Sequence, residues 1–156
     1  FPRAVVPPPP GLSPPSALGW LQNPPTPPTP PPPPVPGERT WGWSQASFIS
    51  FRPDLPYAEA LAFWHSHHTR IAIETQANFE YVQNLIVRPL TADAPAYNAF
   101  VEECFSAEAM SDPAAFFDAV GAPDRFKANL DAMMDSCGRF IDFTRIDIIP
   151  TSQFEV

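Results

Sequence analysis

The sequence is poor in cysteine and in basic residues, and it has no long apolar run. Two cysteines, Cys104 and Cys137, are too few for the disulfide framework of a small secreted fold, so a reduced, cytoplasmic protein is expected. Nine basic residues stand against 17 acidic ones. No basic patch forms, which argues against nucleic acid and against an anionic membrane surface as partners. No apolar stretch approaches the roughly 20 residues of a membrane span. There is no Asn-x-Ser/Thr sequon with a permitted middle residue. The chain begins at Phe1, without an initiator methionine, which leaves open a leader removed ahead of it.

Charge is also missing from the first 37 residues, where Arg3 stands alone. What fills them is proline: 17 of the 24 prolines fall at or before Pro36. Proline donates no backbone hydrogen bond, and few apolar side chains interrupt the runs, so this segment builds no core of its own. Polyproline II or irregular chain is expected there. The division is therefore a proline-rich extended tail over residues 1–39 and one α+β domain over 40–156. Residues 38–156 hold all 17 acids and eight of the nine bases, a balance of −9. Trp20, Leu21, Trp41 and Trp43 offer the tail apolar anchors. It could strap its own dimer or fill an aromatic groove on a partner protein.

Periodicity sorts the domain into elements. "SFISF" (47–51) alternates and is rich in β-formers, so it reads as a strand. Asp54 is an N-cap candidate and Pro56 fits a first turn, opening a helix that runs to about Gln76. A second strand spans 79–90, ended by Pro89, and a third spans 96–105. An Ala-rich stretch from Ser106 to about Cys137, broken near "GAPD", carries one or two helices. "TRIDIIP" (144–150) closes the set. The order β-α-β-β-α-β is that of a ferredoxin-like unit.

All three histidines lie in "AFWHSHHTRI" (62–71). Helical spacing puts Leu61, Trp64, His68, Ile71 and Ala72 on one apolar face, with His68 in its middle. His65 and His67 fall on opposite margins and read as solvent-exposed helix surface. His65 and His68 have the three-residue step of a metal pair, but no third ligand follows and the His-Glu-x-x-His pattern is absent, so no metal is expected. His68 is either a satisfied core histidine or a working acid/base.

Four short motifs carry a resemblance. Phe63, Trp64 and His68 fit an aromatic-Trp-x-x-x-His signature, and Tyr81 with Gln83 fits a Tyr-x-Gln pair. Glu102 precedes the aromatic Phe105, and Phe140, Ile141 and Asp142 fit a terminal Phe-Ile-Asp. In this order they resemble the EthD family over about residues 46–156. Ala60 stands where that family usually sets an aromatic, a departure that would widen a pocket; the proline tail has no counterpart in the plain domain. The resemblance implies a homodimer in which two ferredoxin-like units pair their sheets into a dimeric α/β barrel. It also implies cofactor-free lyase chemistry (decarboxylation, dehydration or cyclisation) on aromatic polyketides.

The residues can be matched to such chemistry. A β-keto or ortho-hydroxyaryl acid that loses carbon dioxide into a nearby carbonyl needs a proton donor, a group that stabilises the oxyanion and a dry cavity. His68 is the inward-facing group with an ordinary pKa near neutrality. Tyr81 and Gln83 share one strand face and can donate to a phenol or carbonyl. Glu102 could hold the imidazole as a cation; Glu103 points the other way, so only one of the two can serve. Trp64, Phe51 and Phe100 are expected to line the cavity for an aromatic ligand. The competing class is a non-catalytic dimeric scaffold or ligand-binding module whose tail mediates assembly. A closed, polar-tipped cavity reaching His68 would favour the enzyme, and a plugged one the scaffold.

Overall fold

A computed structural model of the chain describes residues 31–154. Strand β1 (Trp43–Phe51) leads into α1 (Tyr57–Phe63), a π-helical turn (Trp64–His68) and α2 (Thr69–Thr75). Then come β2 (Glu80–Leu85), β3 (Ala99–Phe105), a 3-10 turn (Ala107–Met110), α3 (Pro113–Phe116), α4 (Pro123–Phe140) and β4 (Ile141–Thr151). The four strands form one antiparallel sheet in the order β2-β3-β1-β4. Consecutive β-α-β halves thus interleave, the arrangement of a ferredoxin-like unit.

Alternation along each strand decides what lies under the helices. Ile49 and Phe51 of β1, Ala99 and Val101 of β3, and Ile141 of β4 join Ala60, Trp64 and Phe140 in the main core. Trp43, Phe105 and Ala109 form a smaller cluster at one end. Gly42 makes the entry to β1 feasible. Its φ is +83°, and a Cβ there would sit 2.0 Å from the Phe105 carbonyl oxygen.

The strand and helix limits differ from the expected ones for identifiable reasons. β1 starts four residues early, at Trp43, because that ring stacks on Phe105 with centroids 5.4 Å apart. Trp43 is therefore a strand residue of the domain rather than a tail anchor. Trp41 packs on Phe79 (5.5 Å), while Trp20 and Leu21 lie outside the described residues. β2 ends at Leu85 and β3 begins opposite it at Ala99, so neither strand reaches its expected outer limit. Asp54 caps nothing: Pro56 occupies the N-cap position and Asp54 pairs with Arg52 instead. α4 continues to Phe140 and passes directly into β4, so Phe140-Ile141-Asp142 straddles a helix end and a strand start. Arg52 secures that junction, giving its backbone N–H to Phe140 O (2.9 Å) and its Nη1 to Gly138 O (2.9 Å). No described helix is long and apolar enough to cross a membrane.

Candidate active site

The helix side of the site is a line of residues four apart: Trp64, His68, Ala72 and Gln76, all facing one cleft. In a regular α-helix each step of four overshoots a full turn by about 40°, so such a line would wind away from the sheet. The π turn counters this drift. Thr69 closes it, sending both its backbone N–H and its hydroxyl (2.9 Å) to the Trp64 carbonyl five residues back. Gln83 Nε2 in turn donates to Thr69 Oγ1 at 2.8 Å, tying the turn to β2.

His68 is only 7% exposed. Its Nδ1 is 2.9 Å from Ser136 Oγ of α4, and its ring lies 4.7 Å from that of Phe140. Burial, with a smaller effect from His67, pushes its pKa down to about 4. The imidazole is thus neutral at neutral pH, and Nε2 is the nitrogen left to face a ligand.

The sheet side is a row across three strands. Register places Tyr81 of β2 beside Glu103 of β3, and Glu103 beside Gln45 of β1. Glu103 is 6% exposed; Oε1 accepts from Asn78 Nδ2 (3.2 Å) and Oε2 from Gln45 Nε2 (3.1 Å). Burial pushes its pKa up to about 7 despite these two donors, which favour the carboxylate. The Tyr81 hydroxyl accepts from Trp64 Nε1 at 3.3 Å, and burial followed by Glu103 raises its pKa, so it stays a phenol.

Between row and helix lies a cleft of about 790 Å³, its open mouth included. Val101, Ile49, Phe116, Phe117, Met133 and Ile146 wall it, and among the described residues no Lys or Arg lines it. Met134, Phe143 and Ile148, each about half exposed, rim the mouth. Cys137 also lines it, but burial first and Glu103 second push that thiol up to about 12, leaving it protonated. Among the described residues, no three His, Cys, Asp or Glu side chains gather where they could hold a metal ion. The cleft therefore combines a neutral imidazole, a phenol and a carboxyl poised near neutrality inside apolar walls.

The family described as the EthD domain matches residues 52–144, more than half of the chain. The chain belongs to the EthD domain family. The EthD match takes in His68, Gln76, Tyr81 and Glu103 and stops short of Gln45 on β1. Among solved structures, a hypothetical Arabidopsis thaliana protein determined in solution is 13% identical, over 76% of this chain and 94% of its own, with a TM-score of 0.45. No curated protein matches.

Of the residues expected at the site of this EthD domain, Trp64, His68 and Tyr81 line the cleft together. Glu102 does not reach it. Strand parity turns Glu102 to the opposite face, where it accepts from Ser44 Oγ at 3.0 Å, and puts Glu103 in the cleft. Phe100 shares that opposite face and stacks on Phe48 at 5.0 Å. Phe51 is core, wedged between Trp64 and Phe140. Gln83 supports the π turn and does not line the cleft. Ala60 is likewise sealed in the core, so its small size does not open the cleft. His65 and His67 are half-covered rather than solvent-exposed, their rings 5.1 Å from Trp64 and 4.9 Å from Phe63, and neither lines the cleft.

Glu103, Gln45, Gln76 and Ser136 were not foreseen as site residues. Gln76 had a signal, the continued step of four from Trp64. Glu103 had none that separated it from Glu102, since both parities of β3 mix apolar residues with one acid. Ser136 meets His68 from 68 positions away, beyond any local pattern.

Proposed function

We propose that this EthD domain is a cofactor-free lyase that eliminates water from, or cyclises, a neutral aromatic polyketide-like molecule. In this reading Glu103 moves the proton while His68 and Tyr81 hold the oxyanion. One observation carries it: a carboxyl with a pKa of about 7 shares an apolar cleft, lined by no cation among the described residues, with a neutral imidazole and a phenol. A general base works best when its pKa lies near the working pH. A neutral imidazole is a competent hydrogen-bond donor to a developing enolate.

For a β-hydroxy ketone the steps balance without a co-reactant. The Glu103 carboxylate takes the proton on the carbon next to the carbonyl, and the C–H electron pair moves into the enolate. Tyr81 O–H and His68 Nε2–H donate to the enolate oxygen, with Ser136 O–H supplying the bond to Nδ1. The enolate then re-forms the carbonyl and expels the β-hydroxyl, which leaves as water with the proton held by Glu103. The carboxylate is restored. The cleft is open at its mouth rather than closed, but it reaches His68 and is not plugged by side chains, which supports this enzyme reading over a plain scaffold.

The same proposal includes a homodimer. The face of the sheet away from the helices carries Val82, Phe48, Phe100 and Ile149, of which the first three are partly and the last about half exposed. A second copy burying this face against its own would close the barrel.

The test is conversion of a β-hydroxy aryl ketone to its conjugated enone, followed by absorbance. Turnover should rise with pH through about 7 as Glu103 ionises. Glu103→Gln should lower it by roughly 100-fold or more and remove that inflection, and His68→Asn should lower it by roughly 100-fold without moving the inflection. Equal rates in Glu103→Gln and the parent, or no turnover of any β-hydroxy ketone, β-keto acid or ortho-hydroxyaryl acid, would overturn the assignment.

A further inference from the structure

Gln76 closes the helical line and is 5% exposed, yet its Oε1 is buried without a hydrogen-bond partner among the described residues. Its backbone has already left the helix (φ −116°, ψ 152°), and its N–H is held by the Ala72 carbonyl at 3.1 Å. The side chain lines the cleft. A buried amide left unpaired is costly, so the group that enters the cleft opposite it should satisfy it.

We propose that Gln76 is a specificity residue that reads a hydroxyl on the ligand, selecting a neutral phenol or alcohol over the matching ether or carboxylate. This rests on the lyase reading only in placing the ligand in the same cleft. A hydroxyl gives the orphaned Oε1 the proton it lacks and can also accept from Nε2. An ether or a carboxylate has no proton to give Oε1. A carboxylate also brings a second negative charge beside Glu103, with no Lys or Arg among the described residues lining the cleft to offset it. The apolar walls, Trp64, Phe117 and Met133 among them, suit a flat ring system carrying that hydroxyl inward.

Three probes of one shape separate the possibilities: 2-naphthol, 2-methoxynaphthalene and 2-naphthoate, each titrated into the full chain by calorimetry at pH 7. The expected order is naphthol tightest, the ether weaker by roughly tenfold or more, and the carboxylate weakest. Gln76→Met, similar in length and apolar, should bring naphthol to within about twofold of the ether while leaving the ether's affinity unchanged. Gln76→Leu serves as the second variant if the first misfolds. Glu103→Gln should raise naphthoate affinity and keep the preference for naphthol over the ether. Equal binding of naphthol and ether by the parent chain, or a preference that survives in folded Gln76→Met or Gln76→Leu, would overturn the proposal. Because only binding is read, failure of the lyase chemistry alone would leave this result standing.

Discussion

The two faces of the sheet treat similar residues in opposite ways. Toward the helices, Ile49, Val101 and Glu103 are buried; on the other side, Phe48, Phe100 and Glu102 are only partly covered within the described chain. Glu102 and Glu103 are chemically identical neighbours in sequence. One accepts a bond from Ser44 on the open face, while the other is held by Asn78 and Gln45 in the cleft with its pKa up near 7. Glu103 is raised by desolvation, which penalises its charged form where the helices exclude water. A working carboxyl is thus made by where it sits, not by residue type.

The largest effect should come from emptying the covered face. Trp64 is fully buried between Phe51 and the Tyr81 hydroxyl. Trp64→Ala should cost about 3–5 kcal/mol in denaturant unfolding, the range for truncating a buried large aromatic. It should also disorder the π turn and abolish turnover. A loss under about 1 kcal/mol would contradict the packing of this core.

Charging the open face should act on association rather than folding. Phe100→Asp places a carboxylate from each copy in the proposed sheet-to-sheet contact, so the dimer should weaken by about 100-fold, some 2.7 kcal/mol. Sedimentation at micromolar concentration should then show monomers with an unchanged circular dichroism spectrum. A parent chain that is already monomeric would remove the barrel from the proposal.

Smaller and more diagnostic is the response to pH. Glu103 rises from an ordinary 4.5 to about 7 on folding, so the native state binds more protons between these values. Its contribution to stability is full below pH 4.5 and lost as pH climbs through 7. His68 falls from 6.5 to about 4, so its contribution is present above 6.5 and lost as pH drops toward 4. The two slopes oppose one another in nearly the same window, and the parent stability should be almost flat there. Removing either group should tilt it by an amount on the order of 2 kcal/mol. Glu103→Gln should lose stability on acidification from pH 7 to 4.5, whereas His68→Asn should gain it. A Glu103→Gln profile as flat as the parent's would remove the raised Glu103 carboxyl from the covered face.

Local chemistry was enough to set out the elements in their order. Alternation in "SFISF", the helix start at Pro56, and the apolar steps through Leu61, Trp64 and His68 all act over one or two turns of chain, so they can be read residue by residue. The β-α-β-β-α-β order followed from them; the EthD motifs came from a resemblance to a known family. Which carboxylate faces the helices was not readable, because a strand's parity is settled by its partners' register and by the side on which the helices land. The charge on His68 was hidden for a similar reason. Ser136 and Phe140, far along the chain, surround the ring and exclude the water that would otherwise keep its pKa near neutrality. Sequence determined which groups could ionise; the tertiary structure, by choosing which of them lose their water, decided which form each one takes.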